Sequence, residues 1–225
     1  MNQQADDLRI QEAPATLRAM AVDRLRGAII AGRFPGGARL VERTLCDQLG
    51  VSRSVVREVI RTLEAEGLVD TSGRAGPVVA RLDWVQAAQI YDIRRLLESA
   101  AAAECARRAD AGVKARLSDA LAALQAAFSD AQPSALYAAT TRFYEVIFTA
   151  AGHDIAWEIV QRLNGRISRL RAMTLATTDR RISGPAHMAR IAGAIAANDP
   201  AAAKQAVRDH LKDAAEIARQ LLEEL

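Results

Sequence analysis

One interruption limits the fold more than any other feature of the chain. Gly50 stands where a short helical run, about residues 42–49, should stop, and Ser52 stands where the next, about 52–67, should start. Only Val51 separates them. Glycine takes up the left-handed backbone that commonly ends a helix, and a serine hydroxyl accepts from the free amides of a helix's first turn. In the second run Val55, Val56, Val59, Ile60 and Leu63 form one apolar face, while Arg53, Arg57 and Arg61 recur at every fourth position on another.

The flanking segments extend this pair into a recognisable order. Val22, Leu25, Ile29 and Ile30 give an apolar stripe to a helix over about 15–31, and Phe34-Pro35-Gly36-Gly37 is a turn. After Gly67, the runs Leu68-Val69-Asp70 and Val78-Val79-Ala80 flank the turn Ser72-Gly73-Arg74-Ala75-Gly76-Pro77, which is a hairpin pattern. Helix, helix, turn, helix and hairpin predict a winged helix-turn-helix over residues 15–81, preceded by a loose polar tail over 1–14.

The arginines suggest what such a unit would touch. The net charge of +3 points to no partner by itself, but residues 14–81 carry 11 arginines, no lysine and 7 acidic residues. A local basic excess suits a phosphate-binding surface. Arg53 and Arg57 also sit in the first turns of their helix, where the positive end of the dipole disfavours cations. A compensating partner is therefore expected. A tight glycine turn after a short helix is the geometry that presents a helix N-terminus to the DNA major groove. There, arginine can grip guanine with two parallel hydrogen bonds or hold a phosphate. Ser52 caps that helix, and Ser54 is placed to bond a phosphate or a base edge. Arg43 at the start of the preceding helix should reach the backbone, and Gly73 and Arg74 at the wing tip should enter the minor groove.

From Asp83 onward the pattern is helical throughout, so the fold class is mainly α, with a C-terminal all-helical antiparallel bundle over 82–225. Alanine is abundant here, which favours helix and lets helices approach closely. Helices are expected at about 83–109, 113–129, 133–151, 154–176, 179–197 and 200–223. Gly184-Pro185 should kink or split the fifth, and Asp199-Pro200 is a strong helix start. Polar residues lie on the apolar stripes of several helices. Arg94 is in line with Ala87, Ile90, Leu97 and Ala101; Thr140 and Tyr144 with Tyr137, Ile147 and Ala151; His187 with Ile191 and Ala194; and His210 with Ala203, Val207, Ala214, Ile217 and Leu221. Arg94, Thr140, Tyr144, His187 and His210 should converge inside the bundle as a ligand pocket. A buried guanidinium needs an anion, and two sources stand open: Glu98 one turn on, or a bound ligand.

Cys46 and Cys105 have neither metal nor disulfide spacing and fit reduced, buried thiols. No segment resembles a signal peptide or a membrane span, so a cytoplasmic protein is expected. No nucleophile–base pair, paired carboxylates or phosphate-binding glycine loop points to an enzyme.

Leu40-Val41-Glu42-Arg43, Gly50-Val51-Ser52-Arg53-Ser54-Val55-Val56-Arg57-Glu58 and Leu63-Glu64-Ala65-Glu66-Gly67-Leu68-Val69 closely resemble the winged-helix signature of GntR-type regulators. The resemblance implies DNA contacts at Arg43, Arg53, Ser54, Arg57 and the wing around Gly73. Ile90-Tyr91-Asp92-Ile93-Arg94-Arg95-Leu96-Leu97-Glu98, with His187, Asp199 and His210-Leu211 further on, resembles the FCD effector domain of the FadR subfamily. That second resemblance implies small carboxylate effectors held near the arginine matching Arg94. It also implies, in many members, a divalent metal such as Zn or Ni on one Asp and three His. His187 and His210 match two of those ligands. Thr140 and Tyr144 stand where the Asp and the remaining His would fall, and two imidazoles alone are a poor metal shell. His153, after Gly152, suits a surface or capping position.

The expected protein is thus a homodimeric, ligand-responsive repressor or activator on a palindromic double-stranded operator. It would sense a small organic acid through a metal-free pocket in which Arg94 is the carboxylate clamp. The alternative is a constitutive DNA-binding protein whose helical domain only dimerises.

Overall fold

The computed structural model describes residues 17–73, 76–129, 133–168, 170–171, 174 and 184–223. The expected tail over 1–14, the wing-tip residue Arg74 and the junction at 175–183 lie outside the described residues. The first unit contains α1 (Leu17–Ile30), α2 (Glu42–Leu49), α3 (Arg53–Ala65), β1 (Val69–Asp70) and β2 (Val78–Val79). The strands pair antiparallel, with Val69 opposite Val79. Gly50 has φ 67° and its N–H bonds to the Cys46 carbonyl, closing α2. Ser52 caps α3 by accepting from the Val55 N–H. Val56, Val59, Ile60 and Leu63 pack against Val22, Leu25 and Ile29 of α1 in one hydrophobic cluster. Cys46 is only half-buried, a departure from the expected buried thiol.

The second unit comprises α4 (Trp84–Arg108), α5 (Ala111–Ser129), α6 (Pro133–Ala151), α7 (Asp154–Arg166), α8 (Gly184–Ala196) and α9 (Pro200–Glu223). Asp83 caps α4 by accepting from the Gln86 N–H, and Arg107 and Arg108 in its last turn complement the dipole. The last helix packs along α4. Ala101, Ala102 and Ala106 on one side and Ala203, Ala214 and Ala218 on the other are buried, so the two backbones lie close. The Asn198-Asp199-Pro200 break does two jobs. Asp199 caps α9 through the amides of Ala201 and Ala202. Asn198, at φ 52°, donates its side-chain amide to the Ala106 and Ala109 carbonyls, satisfying the end of α4.

One expected helix differs. The run placed at 154–176 stops at Arg166, Ile167 is a turn, and Ser168, Leu170, Arg171 and Thr174 are again helical. The break falls where Gly165 meets the first unit: a Cβ built there would lie 1.4 Å from the Glu66 carbonyl oxygen. The described part of α8 starts at Gly184, so the kink or split expected at Gly184-Pro185 falls at the edge of the described residues. No helix among the described residues is long and apolar enough to cross a membrane.

Candidate functional site

The N-terminal end of α3 is an exposed cationic feature of the first unit. Its first turn carries no acidic residue. The side chains of Arg53 and Arg57 are 63% and 57% exposed, and Arg43 and Arg61 are exposed as well. The compensation expected for arginines at this end of the dipole comes from Glu42 at the start of α2. It takes Arg57 Nε at 2.9 Å and Arg53 Nε at 3.2 Å. The hydrogen bond from Arg57 holds the Glu42 carboxyl below its ordinary range. Exposed pairs of this kind contribute little stability and separate easily, so the guanidiniums remain available to a stronger anion. The Ser52 and Ser54 hydroxyls lie 2.8 Å apart beside them. At the wing, Asp70 accepts from the Ser72 amide and hydroxyl, shaping the approach to exposed Gly73.

Inside the bundle, all five residues expected to line a pocket are buried: Arg94, Thr140, Tyr144, His187 and His210. Arg94 is not free to act as a clamp. Its Nε donates to Glu98 Oε1 at 2.6 Å and its Nη2 to Oε2 at 3.4 Å, and both side chains are essentially inaccessible. Burial works against the Arg94 charge, but Glu98 and the nearby Tyr91 and Tyr144 outweigh it and raise its pKa. Of the two anion sources left open by the sequence, Glu98 is therefore the one in place. The Thr140 hydroxyl donates to the Leu136 carbonyl at 2.6 Å. Burial, followed by the Glu98 charge, pushes the Tyr144 phenol well above its ordinary range. The His187 and His210 rings lie 5.3 Å apart, with His187 Nε2 at 3.2 Å from Asp213.

Sequence reasoning missed Arg171. It is 4% exposed, and its Nη1 is buried with no hydrogen-bond partner among the described residues. Burial and the neighbouring Arg94 lower its pKa. Its guanidinium lies 5.7 Å from the centroid of the Tyr137 ring. A cation–π contact contributes about 0.5–2 kcal/mol, less than the several kcal/mol needed to desolvate a guanidinium. Tyr137 itself departs from expectation. It is half-buried and packs against the core of the first unit, rather than continuing the Thr140–Tyr144 stripe into the bundle. His153 occupies the N-cap position of α7 but makes no side-chain capping bond.

The four positions matching the family's metal ligands do not fit a metal ion. A threonine hydroxyl committed to a carbonyl and a phenol kept protonated by burial replace two anionic or imidazole donors. Among the described residues no group of three or more His, Cys, Asp and Glu side chains is placed to hold one.

A winged helix with an exposed cationic reading helix, joined to a helical bundle with a buried polar centre, defines a two-part DNA-binding regulator. The sequence matches the description "Bacterial regulatory proteins, gntR family" over residues 17–79 and the FCD domain over residues 89–213. The chain belongs to the GntR family, in the group that carries an FCD domain, and is a transcriptional regulator rather than an enzyme. It is 26% identical over 189 residues to an HTH-type transcriptional regulator in an unstable DNA locus of Streptomyces ambofaciens, covering 84% of this chain and 79% of that protein. It is 24% identical over 204 residues to the HTH-type transcriptional repressor RspR of Escherichia coli, covering 89% and 88%. Its fold is similar to that of E. coli McbR/YncC, with a TM-score of 0.74 at 21% identity over 92% of this chain and 99% of that one.

Proposed function

We propose that the protein is a homodimeric, ligand-responsive cytoplasmic transcriptional regulator whose operator affinity is set by a small organic acid bound in the helical domain. In this reading, residues 15–81 bind a palindromic operator, and residues 82–225 dimerise and hold the effector. Arg53, Arg57, Ser52 and Ser54 read the major groove, Arg43 holds the backbone, and Gly73 and Arg74 reach the minor groove. The observation that carries the DNA half is the pair of exposed arginines at the positive end of α3, shared by a single half-buried carboxylate, Glu42. Phosphates or guanine edges replace that carboxylate on binding. The effector half rests on the buried cluster of Arg94, Thr140, Tyr144, His187 and His210. A second chain is a natural cover for the exposed Ile93 and Leu96 of α4.

Operator titrations test this reading directly. Arg53→Ala or Arg57→Ala should weaken specific binding about tenfold or more and flatten its salt dependence. Small organic acids should release wild-type operator complexes. Wild-type specificity in both variants would remove α3 as the reading helix. Operator affinity indifferent to every acid would favour the constitutive alternative, toward which the closed Arg94–Glu98 pair already leans.

The effector site in this reading is metal-free. Elemental analysis of tag-free protein should find no stoichiometric Zn or Ni. One tightly held ion per chain would overturn that part of the reading.

A further inference from the structure

The buried polar centre of the bundle is unbalanced in charge. Among the described residues it holds two guanidiniums, Arg94 and Arg171, against one carboxylate, Glu98; the remaining buried polar side chains are hydroxyls, one amide and two imidazoles. Glu98 closes on Arg94 through both of its oxygens. Arg171 is left with a buried Nη1 that meets no acceptor among the described residues.

We infer that Arg171, rather than Arg94, is the docking point of the helical domain, and that its ligand is a small monocarboxylate whose single negative charge completes the Arg94–Glu98–Arg171 cluster. This rests on the effector reading above and narrows it. Arginine cannot shed its proton at accessible pH, so a buried guanidinium calls for an anion rather than for neutralisation. One negative charge closes the balance. Two would leave the core as unbalanced as before with the opposite sign. The planar guanidinium favours a carboxylate, which it can meet with two parallel hydrogen bonds. The lowered pKa of Arg171, caused by burial and by Arg94, is the direction of a cation short of counter-charge.

The position of Arg171 also suits a sensor. Its guanidinium lies against the Tyr137 ring, and Tyr137 packs on the core of the DNA-binding unit. An anion that draws the guanidinium off or onto that ring acts on a side chain shared by both units. Only such differential contact can shift an equilibrium between two arrangements.

Thermal unfolding of the full-length protein tests the site with simple anions in place of the natural effector. Wild type, Arg171→Met, Arg171→Gln and Arg94→Met are compared at fixed protein concentration and matched ionic strength. Probes are sodium formate, acetate, lactate, benzoate and gluconate, the dianions malonate and succinate, and the neutral acetamide and benzamide. In the absence of probe, Arg171→Met should unfold at or above the wild-type temperature, because an uncompensated charge is replaced by an apolar chain of similar length. Arg94→Met should unfold well below it. At least one monocarboxylate should raise the wild-type midpoint saturably, with the matching amide and the dianions at least tenfold weaker. Both Arg171 variants should lose that shift.

Several results would overturn the inference. Destabilisation of Arg171→Met comparable to that of Arg94→Met would make Arg171 structural. An undiminished carboxylate shift in the Arg171 variants, a stronger shift with dianions, or no saturable monocarboxylate shift in wild type would remove the site. The two levels of the reading fail differently. A carboxylate that stabilises through Arg171 but leaves operator affinity unchanged keeps the site and ends the effector reading. An acid that releases operator equally from wild type and Arg171→Met keeps the effector reading and ends this site.

Discussion

Arg94→Ala should lower folding stability by about 3–5 kcal/mol, the penalty for leaving a buried carboxylate without its cation. Arg94 and Glu98 are 1% and 0% exposed and meet at 2.6 Å, so water cannot take over when the guanidinium is removed. The loss is of a buried hydrogen-bonded charge pair, not of a surface ion pair, and that difference sets its size. Arg171 is the other buried cation acting on Glu98, and it limits the damage without repairing it. Adding Glu98→Gln to Arg94→Ala should restore a large part of the lost stability, because the stranded charge is then gone. The measurement is a denaturant midpoint at fixed protein concentration, with an unchanged slope showing that the same surface unfolds. A loss below about 1 kcal/mol would mean that the carboxylate finds solvent or another donor.

The contrast between Arg94 and Arg171 also explains what was legible in the sequence. Arg94 stood out because apolar residues at helical spacing surround it: Ala87, Ile90 and Ala101 are all buried beside it. Arg171 belongs to a buried stripe of Asn164, Ile167, Ser168, Arg171 and Thr174. That stripe has helical spacing, but its members are mostly polar, so hydrophobic periodicity does not reveal it. A search for polar residues recurring at three and four positions in a chain segment bounded by core residues would have found it. Local signals were the dependable ones. Gly50, Ser52 and Asp199 each act through their own backbone or its nearest amides, and each performs the role its residue type dictates. The early end of α7 was hidden for the opposite reason. The local cue, the Asn164-Gly165 pair, is a turn signal that helices can also absorb, and the contact that accompanies the break is with Glu66, remote in sequence. The partner of Arg53 and Arg57 was hidden in the same way. Their position against the helix dipole demanded an anion, but only the packing of α2 on α3 identifies it as Glu42.

Gly165→Ala should separate the DNA-binding unit from the bundle, at a cost of about 3 kcal/mol or more. Gly165 is buried, and an added Cβ would stand 1.4 Å from the Glu66 carbonyl oxygen and 2.6 Å from its carbon. These are backbone atoms, so no rotamer change relieves the overlap. Neither side can yield alone. Glu66 is held by two hydrogen bonds from Arg26, at 2.8 and 2.7 Å, which keep the Arg26 guanidinium firmly charged. Gly67 follows at φ 76°, and its own Cβ position would meet Arg166 Cγ at 2.5 Å. The end of α3 and the end of α7 are thus closely fitted, Gly165 against the Glu66 backbone and Gly67 against the Arg166 side chain, and a methyl group at Gly165 forces the units apart. The contact is one route by which movement in the bundle would reach the proposed operator-binding surface, since α3 carries Arg53 and Arg57 at its other end. Two consequences should appear together in Gly165→Ala: unfolding resolved into separate transitions for the two units, and an operator affinity that persists but no longer answers to an organic acid. Loss of operator binding along with the response would place the damage inside α3 itself. A single transition at the wild-type midpoint would show that the two units are not held together at this contact.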